Sequence, residues 1–156
     1  IVSDVNRQLA RDVEESGRFM TLFYCEIDSP NHCIRWVRAG HDPAIFYDPE
    51  TNTFEELKGM GLALGVDENW QYEQNQKAGL KEGQIIVLAT DGIWEAHNVD
   101  GEMFGKDAFY DIIRRNAALS ANQILETVID KLEHFQTGVE PEDDVTLVVI
   151  KFEEKL

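Results

Sequence analysis

The stretch Phe19 to Ile27 constrains the fold more than any other part of this 156-residue chain. Read as a strand, it places Phe19, Thr21, Phe23, Cys25 and Ile27 on one face and Met20, Leu22 and Tyr24 on the other. Successive strand residues alternate sides, so a strand apolar on both faces is expected to be covered on both. That predicts a layered α+β core rather than a single amphipathic sheet. Ser29-Pro30-Asn31-His32 then reads as a tight turn, and Cys33–Ala39 as the returning strand of an antiparallel hairpin. A turn centred between Pro30 and Asn31 sets Cys25 opposite Trp36 and Cys33 opposite Asp28. The two thiols then do not meet, no disulfide is expected, and a reducing cytoplasm fits.

The remaining elements follow from periodicity and punctuation. Val2, Val5, Leu9 and Val13 recur at helical spacing, and Ser16-Gly17 ends that helix. Ala44–Tyr47 and Phe54–Leu57 read as short strands across the turn Asp48–Asn52. The run Gly-Met-Gly-Leu-Ala-Leu-Gly at 59–65 suggests close backbone packing, and with no Lys-Ser/Thr after it, it is not a phosphate loop. Ile85–Ala89 reads as a strand and Lys106–Asn116 as a helix. A second helix opens on the capping box Ser120-Ala121-Asn122-Gln123, carries Ile124, Leu125, Val128, Ile129, Leu132 and Phe135, and stops by Gly138. Val145–Phe152 reads as the last strand. With no repeat, linker or low-complexity tract, residues 1–156 are expected to form one domain.

Thirty acidic against fourteen basic residues give a net charge of −16, which disfavours nucleic acid and anionic membranes as partners. Such acidity also serves solubility alone. The longest apolar run, Ile85 to Ala89, is too short to span a bilayer, and no secretory signal is expected. The chain begins with Ile and enters helical patterning at once, so it reads as a piece of a longer protein.

Two places carry candidate chemistry. Asp91 stands where a strand ends, in Thr90-Asp91-Gly92; Asp143 and Asp144 stand where another begins, in Asp143-Asp144-Val145-Thr146. If those strands are antiparallel neighbours, the three carboxylates converge at one sheet edge. Clustered like charges repel unless a cation is held among them, and oxygen donors suit Mg²⁺ or Mn²⁺. The same residues also suit an ordinary Asp-Gly turn and a solvated loop.

Several stretches taken together resemble the SpoIIE-like, RsbU-like branch of the PPM (type 2C) protein phosphatases. They are residues 6–9, Arg18-Phe19-Met20-Thr21-Leu22, Ala39-Gly40-His41-Asp42-Pro43, Leu62-Ala63-Leu64-Gly65, Leu88 to Ala96, Met103-Phe104-Gly105 and Asp143 to Leu147. The resemblance implies an α-β-β-α sandwich of two mostly antiparallel sheets flanked by helices, here incomplete at the N-terminus. It implies a protein serine/threonine phosphatase with two Mn²⁺ or Mg²⁺ ions per complete site. Asp91 and Asp143 would be metal ligands, with Asp144 the neighbour in the same motif. The implied substrate is a phosphorylated signalling protein, often a STAS-domain regulator of bacterial stress responses, and the parent would carry a sensor or receiver domain. His41 falls in a signature turn and reads as structural, while His32, His97 and His134 read as surface residues.

The family's early Gly-Asp metal motif is absent, so this chain alone is expected to bind metal weakly and hydrolyse little. Missing early strands would also leave apolar surface, favouring a homodimer or exchanged segments. Two other readings stand beside this one. A phosphatase-like binding module would keep the fold without the chemistry. A calcium-binding domain would need an Asp-x-Asp-x-Asp-Gly loop, which this sequence lacks.

Overall fold

A computed structural model describes residues 1–141 and 143–153. The elements, in chain order, are α1 (Val2–Val13), β1 (Leu22–Asp28), β2 (Cys33–Ala39), β3 (Ala44–Asp48), β4 (Thr53–Leu57), β5 (Asn75–Ala78), β6 (Ile85–Ala89), α2 (Lys106–Asn116), α3 (Ala121–Phe135) and β7 (Leu147–Lys151). They form two sheets, ordered β1-β2-β5 and β4-β3-β6-β7, and the strand pairs with an assigned register are all antiparallel. This is the α+β fold of two antiparallel sheets with helices that the sequence implies. The residues divide into two compact units, Ile1–Pro43 with Leu57–Lys81 and Ala44–Glu56 with Glu82–Leu156. No helix among the described residues is long and apolar enough to cross a membrane.

In the first unit, Val2 and Leu9 of α1 pack over Leu22 and Tyr24 of β1 and Val37 and Ala39 of β2. The hairpin register is the one its turn demands, with Cys25 opposite Trp36 and Asp28 opposite Cys33, and both cysteines are free thiols. Burial raises the Cys25 thiol pKa. Asn6 is wholly buried on α1, where an unpaired amide would be costly. It is satisfied at both ends: its Nδ2 donates to the Asp67 carbonyl at 2.7 Å, and its Oδ1 accepts from the Gly65 amide at 2.9 Å. One side chain thus ties the glycine-rich segment to the helix. That segment packs as tightly as its composition suggests, since a Cβ at Gly61 would collide with the Arg38 carbonyl oxygen.

One expectation fails here. The first strand begins at Leu22 rather than Phe19, and it is not covered on both faces. Phe19 is 65% exposed, Met20 46% and Ile27 41%. Phe19 and Met20 lie ahead of the strand, and Ile27 lies at its far end next to the hairpin turn. The strand β5 was not anticipated, because Asn-Gln-Lys-Ala carries no apolar alternation; it is held by its ladder to β2.

In the second unit, Ile45, Tyr47, Ile85 and Val87 line one sheet face and meet Phe109 and Ile113 of α2 and Ile124, Val128 and Leu132 of α3. The Ser120 capping box forms as its sequence predicts, with the Gln123 amide donating to Oγ and the Ser120 amide donating to the Gln123 side chain. Strand β6 pairs antiparallel with β7, with Ala89 opposite Leu147. The residues just beyond those two form the site described next.

Candidate metal centre

The antiparallel pairing of β6 and β7 sets the end of one strand beside the start of the other, which brings Asp91 to the same edge as Asp143 and Asp144. Thr90 fixes the two segments together. Its amide donates to the Thr146 carbonyl at 3.1 Å. Its hydroxyl accepts from the Thr146 amide at 2.9 Å and donates to the Asp144 carbonyl at 3.0 Å. A threonine hydroxyl, with one donor and two lone pairs, is suited to this double engagement. Next to it, Gly92 is buried against the same carbonyl, and a Cβ there would lie 2.6 Å from the Asp144 oxygen. The backbone of 143–144 can approach this closely only because residue 92 has no side chain.

The chain turns sharply after Asp91, with the Glu95 amide donating to the Asp91 carbonyl at 2.9 Å. The carboxylates of Asp91, Asp143 and Asp144 are exposed. Asp143 accepts one hydrogen bond, from the Asp144 amide at 2.7 Å. Among the described residues no lysine or arginine forms an ion pair with any of the three. A cavity of about 190 Å³ opens beside Asp143, lined also by Gly92, Glu95, Ala96, His97 and Gln136.

The carboxylates of Asp91, Asp143 and Asp144 are oxygen donors, which suit a hard divalent cation. The donor set is short: among the described residues no group of three or more His, Cys, Asp or Glu side chains could hold a metal ion.

Glu95, His97 and Gln136 face the cavity although sequence reasoning gave them no role there. His97 is half-buried rather than a surface residue, whereas His32 and His134 are exposed as expected. The fourfold spacing of Asp91 and Glu95 was the available signal for Glu95. His41 belongs to the first unit and holds a turn: its Nδ1 lies 3.1 Å from the Thr21 hydroxyl, and its carbonyl accepts from Arg38 Nε.

A family model described as Stage II sporulation protein E (SpoIIE) matches residues 1–153, and the chain belongs to that family. Among curated proteins it is similar to the phosphoserine phosphatase RsbU of Bacillus subtilis (strain 168), 30% identical over 154 residues. That alignment covers 97% of this chain but 44% of RsbU, so the chain spans less than half of that relative. Among solved structures it resembles the SiaA-PP2C domain of Pseudomonas aeruginosa, with a TM-score of 0.73 at 19% identity, covering 97% of this chain and 69% of that one. It also resembles the manganese-presoaked phosphatase domain of SpoIIE from Bacillus subtilis, with a TM-score of 0.61 at 16% identity, covering 97% and 74%. The fold is thus that of PP2C-type phosphatase domains.

Proposed function

We propose that residues 1–156 form a large part of one metal-dependent protein serine/threonine phosphatase domain, whose metal edge is Asp91 with Asp143 and Asp144. The observation that supports this reading is the β6–β7 register, which sets the segment carrying Asp91 beside the segment carrying Asp143 and Asp144, in a chain of the SpoIIE family. Asp91 and Asp143 would hold Mn²⁺ or Mg²⁺, with Asp144 beside them. When bound, such ions supply a water acidified enough to act as a nucleophile near neutral pH. The chain's own contribution is positional. Thr90 ties 144 and 146 to the end of β6, Gly92 admits the 143–144 backbone, and the cavity beside Asp143 presents Glu95, His97 and Gln136.

The rest of the coordination shell belongs to the longer parent protein, so this chain alone binds metal weakly and turns over little. The short donor set among the described residues supports this expectation. RsbU is named a phosphoserine phosphatase. By the same reading the substrate here is a phosphoserine or phosphothreonine on a cytoplasmic signalling protein, with STAS-domain regulators the first class to try. The parent joins this domain to a sensor or receiver domain.

Calorimetric titration with Mn²⁺ tests the reading, comparing this chain, the parent protein and the parent carrying Asp91→Asn. Tight binding by the parent, lost in Asp91→Asn and weak in this chain, is expected, together with hydrolysis of a phosphoserine peptide by the parent only. If the parent binds no manganese, or Asp91→Asn leaves binding intact, the catalytic reading fails and a phosphatase-like binding module replaces it.

A further inference from the structure

Helices α2 and α3 lie side by side over their sheet, and between their outer faces runs a groove of about 500 Å³. Its floor is apolar: Ala108 and Ile112 from α2, Phe135 from α3, and Phe104, which meets Phe135 edge to face at 5.2 Å. Nothing in the proposed chemistry uses this groove.

The charges around it are sorted. Positions three and four apart share a helix face, so Thr127, Lys131 and His134 form one stripe of α3 and line the groove. The acidic residues of α3, Glu126, Asp130 and Glu133, are not among its lining residues. On α2 the groove takes Arg115 and Asp111; that carboxylate is shared between Arg115 at 2.8 Å and Arg114 at 2.5 Å, so the exposed Arg115 guanidinium is only partly matched. Lys131 is exposed and forms no ion pair among the described residues. The rim is therefore net cationic on a chain whose formal charge is −16.

An apolar trough between parallel ridges, with its cations gathered at the rim, has the form that receives an amphipathic helix. We propose that the α2–α3 groove docks an acidic amphipathic helix of a partner protein, its apolar stripe over Ile112 and Phe135 and its carboxylates against Lys131 and Arg115. The proposal is independent of whether the metal edge is catalytic.

Selection of a random 16-residue display library on the immobilised chain is the test, followed by anisotropy titration of the consensus peptide. Enriched peptides should carry Leu, Ile or Phe at helical spacing together with several Asp or Glu. Lys131→Glu should weaken the consensus peptide about tenfold, since it reverses a charge facing the ligand. Ala108→Glu, which puts a carboxylate on the apolar floor, should weaken it at least as much. Arg7→Glu on α1 makes the same charge change elsewhere and should leave affinity unchanged. Both groove positions are exposed, and matching circular dichroism melts will show that the variants fold. Basic or aperiodic consensus peptides overturn the proposal, as does no enrichment, or affinity that ignores both groove substitutions or falls equally in Arg7→Glu. Two other occupants would overturn it as well. Self-association in sedimentation equilibrium, abolished by Lys131→Glu, would give the groove to a second copy. Failure of the consensus peptide to bind the full-length parent would give it to a segment of the parent itself.

Discussion

Thr90→Val removes one hydroxyl and almost no volume, so it isolates the clamp at the proposed metal edge. Two hydrogen bonds are lost, the one accepted from the Thr146 amide at 2.9 Å and the one donated to the Asp144 carbonyl at 3.0 Å. Each is worth about 1 kcal/mol net. Residues 144 and 146 are exposed, so water can take over part of the load, and the expected loss is about 1–2 kcal/mol. For a chain of this size that is a fall of about 2–8 °C in melting temperature. Thr90→Ser keeps the hydroxyl and gives up a methyl group, at about 0.8 kcal/mol or less. Thermal unfolding followed by circular dichroism should therefore rank wild type, Ser and Val in that order, with Val well separated. In the parent protein, manganese affinity should drop about tenfold in Thr90→Val, because groups that orient ligands commonly matter by that much. Equal melting temperatures for the Ser and Val variants would refute the clamp. So would a Val variant that destabilises as calculated yet binds manganese as wild type does, which would show that the clamp is unconnected to the ligands.

Gly92→Ala tests the same edge sterically: its Cβ would meet the Asp144 carbonyl oxygen at 2.6 Å, a backbone atom that must retreat. A loss of about 1–3 kcal/mol in urea unfolding is expected, and an unaltered midpoint would show that the 143–144 segment gives way freely. Asn6→Ala leaves the Gly65 amide and the Asp67 carbonyl without their buried partner, for an expected loss of about 2–4 kcal/mol by the same measurement. A midpoint like that of wild type would mean that water replaces the amide. Hydrogen bonds from the Asn31 side chain and backbone, with the Arg35 charge, hold the Asp28 carboxyl below its ordinary 3.8. A carboxyl lowered on folding stabilises above its unfolded pKa, and that contribution disappears as the pH falls through the lowered value. Urea midpoints between pH 5 and pH 2 should fall more steeply in wild type than in Asp28→Asn, and parallel curves would count against the assigned contacts.

Much of this architecture could be read from local sequence because local rules decide it. The strands Cys33–Ala39 and Ile85–Ala89 and the helix Lys106–Asn116 have the bounds expected from their patterns. The hairpin register followed from four turn residues, and it kept Cys25 and Cys33 apart. At the proposed metal edge, the placement of Asp91 beside 143–144 needs only that the two strands be antiparallel neighbours. The Thr90 clamp was not legible, because it depends on the ladder continuing one step past Ala89 and Leu147, which pattern alone does not specify. The exposure of β1 is illegible for a similar reason: alternation tells which residues could be covered, while the elements that pack on each face decide whether anything covers them. The α2–α3 groove lies further still from local rules, since it exists only where two helices meet.

The β6–β7 ladder also bears on when the metal edge comes into being. Its clamp joins residues 54 and 56 positions apart, with α2 and α3 in between, whereas the β1–β2 hairpin closes over a four-residue turn. Closing the longer loop costs more chain entropy before any contact repays it, so hairpins form first and distant pairings later. The segments carrying Asp91 and Asp143 lie side by side only once the last strand has docked on β6. During synthesis the carboxylates of Asp91 and Asp143 are then strangers in an open chain until residue 147 and beyond have left the ribosome. If Asp91 and Asp143 hold a divalent ion as proposed, an ion meeting the chain early finds scattered aspartates, and only the finished sheet offers it an address.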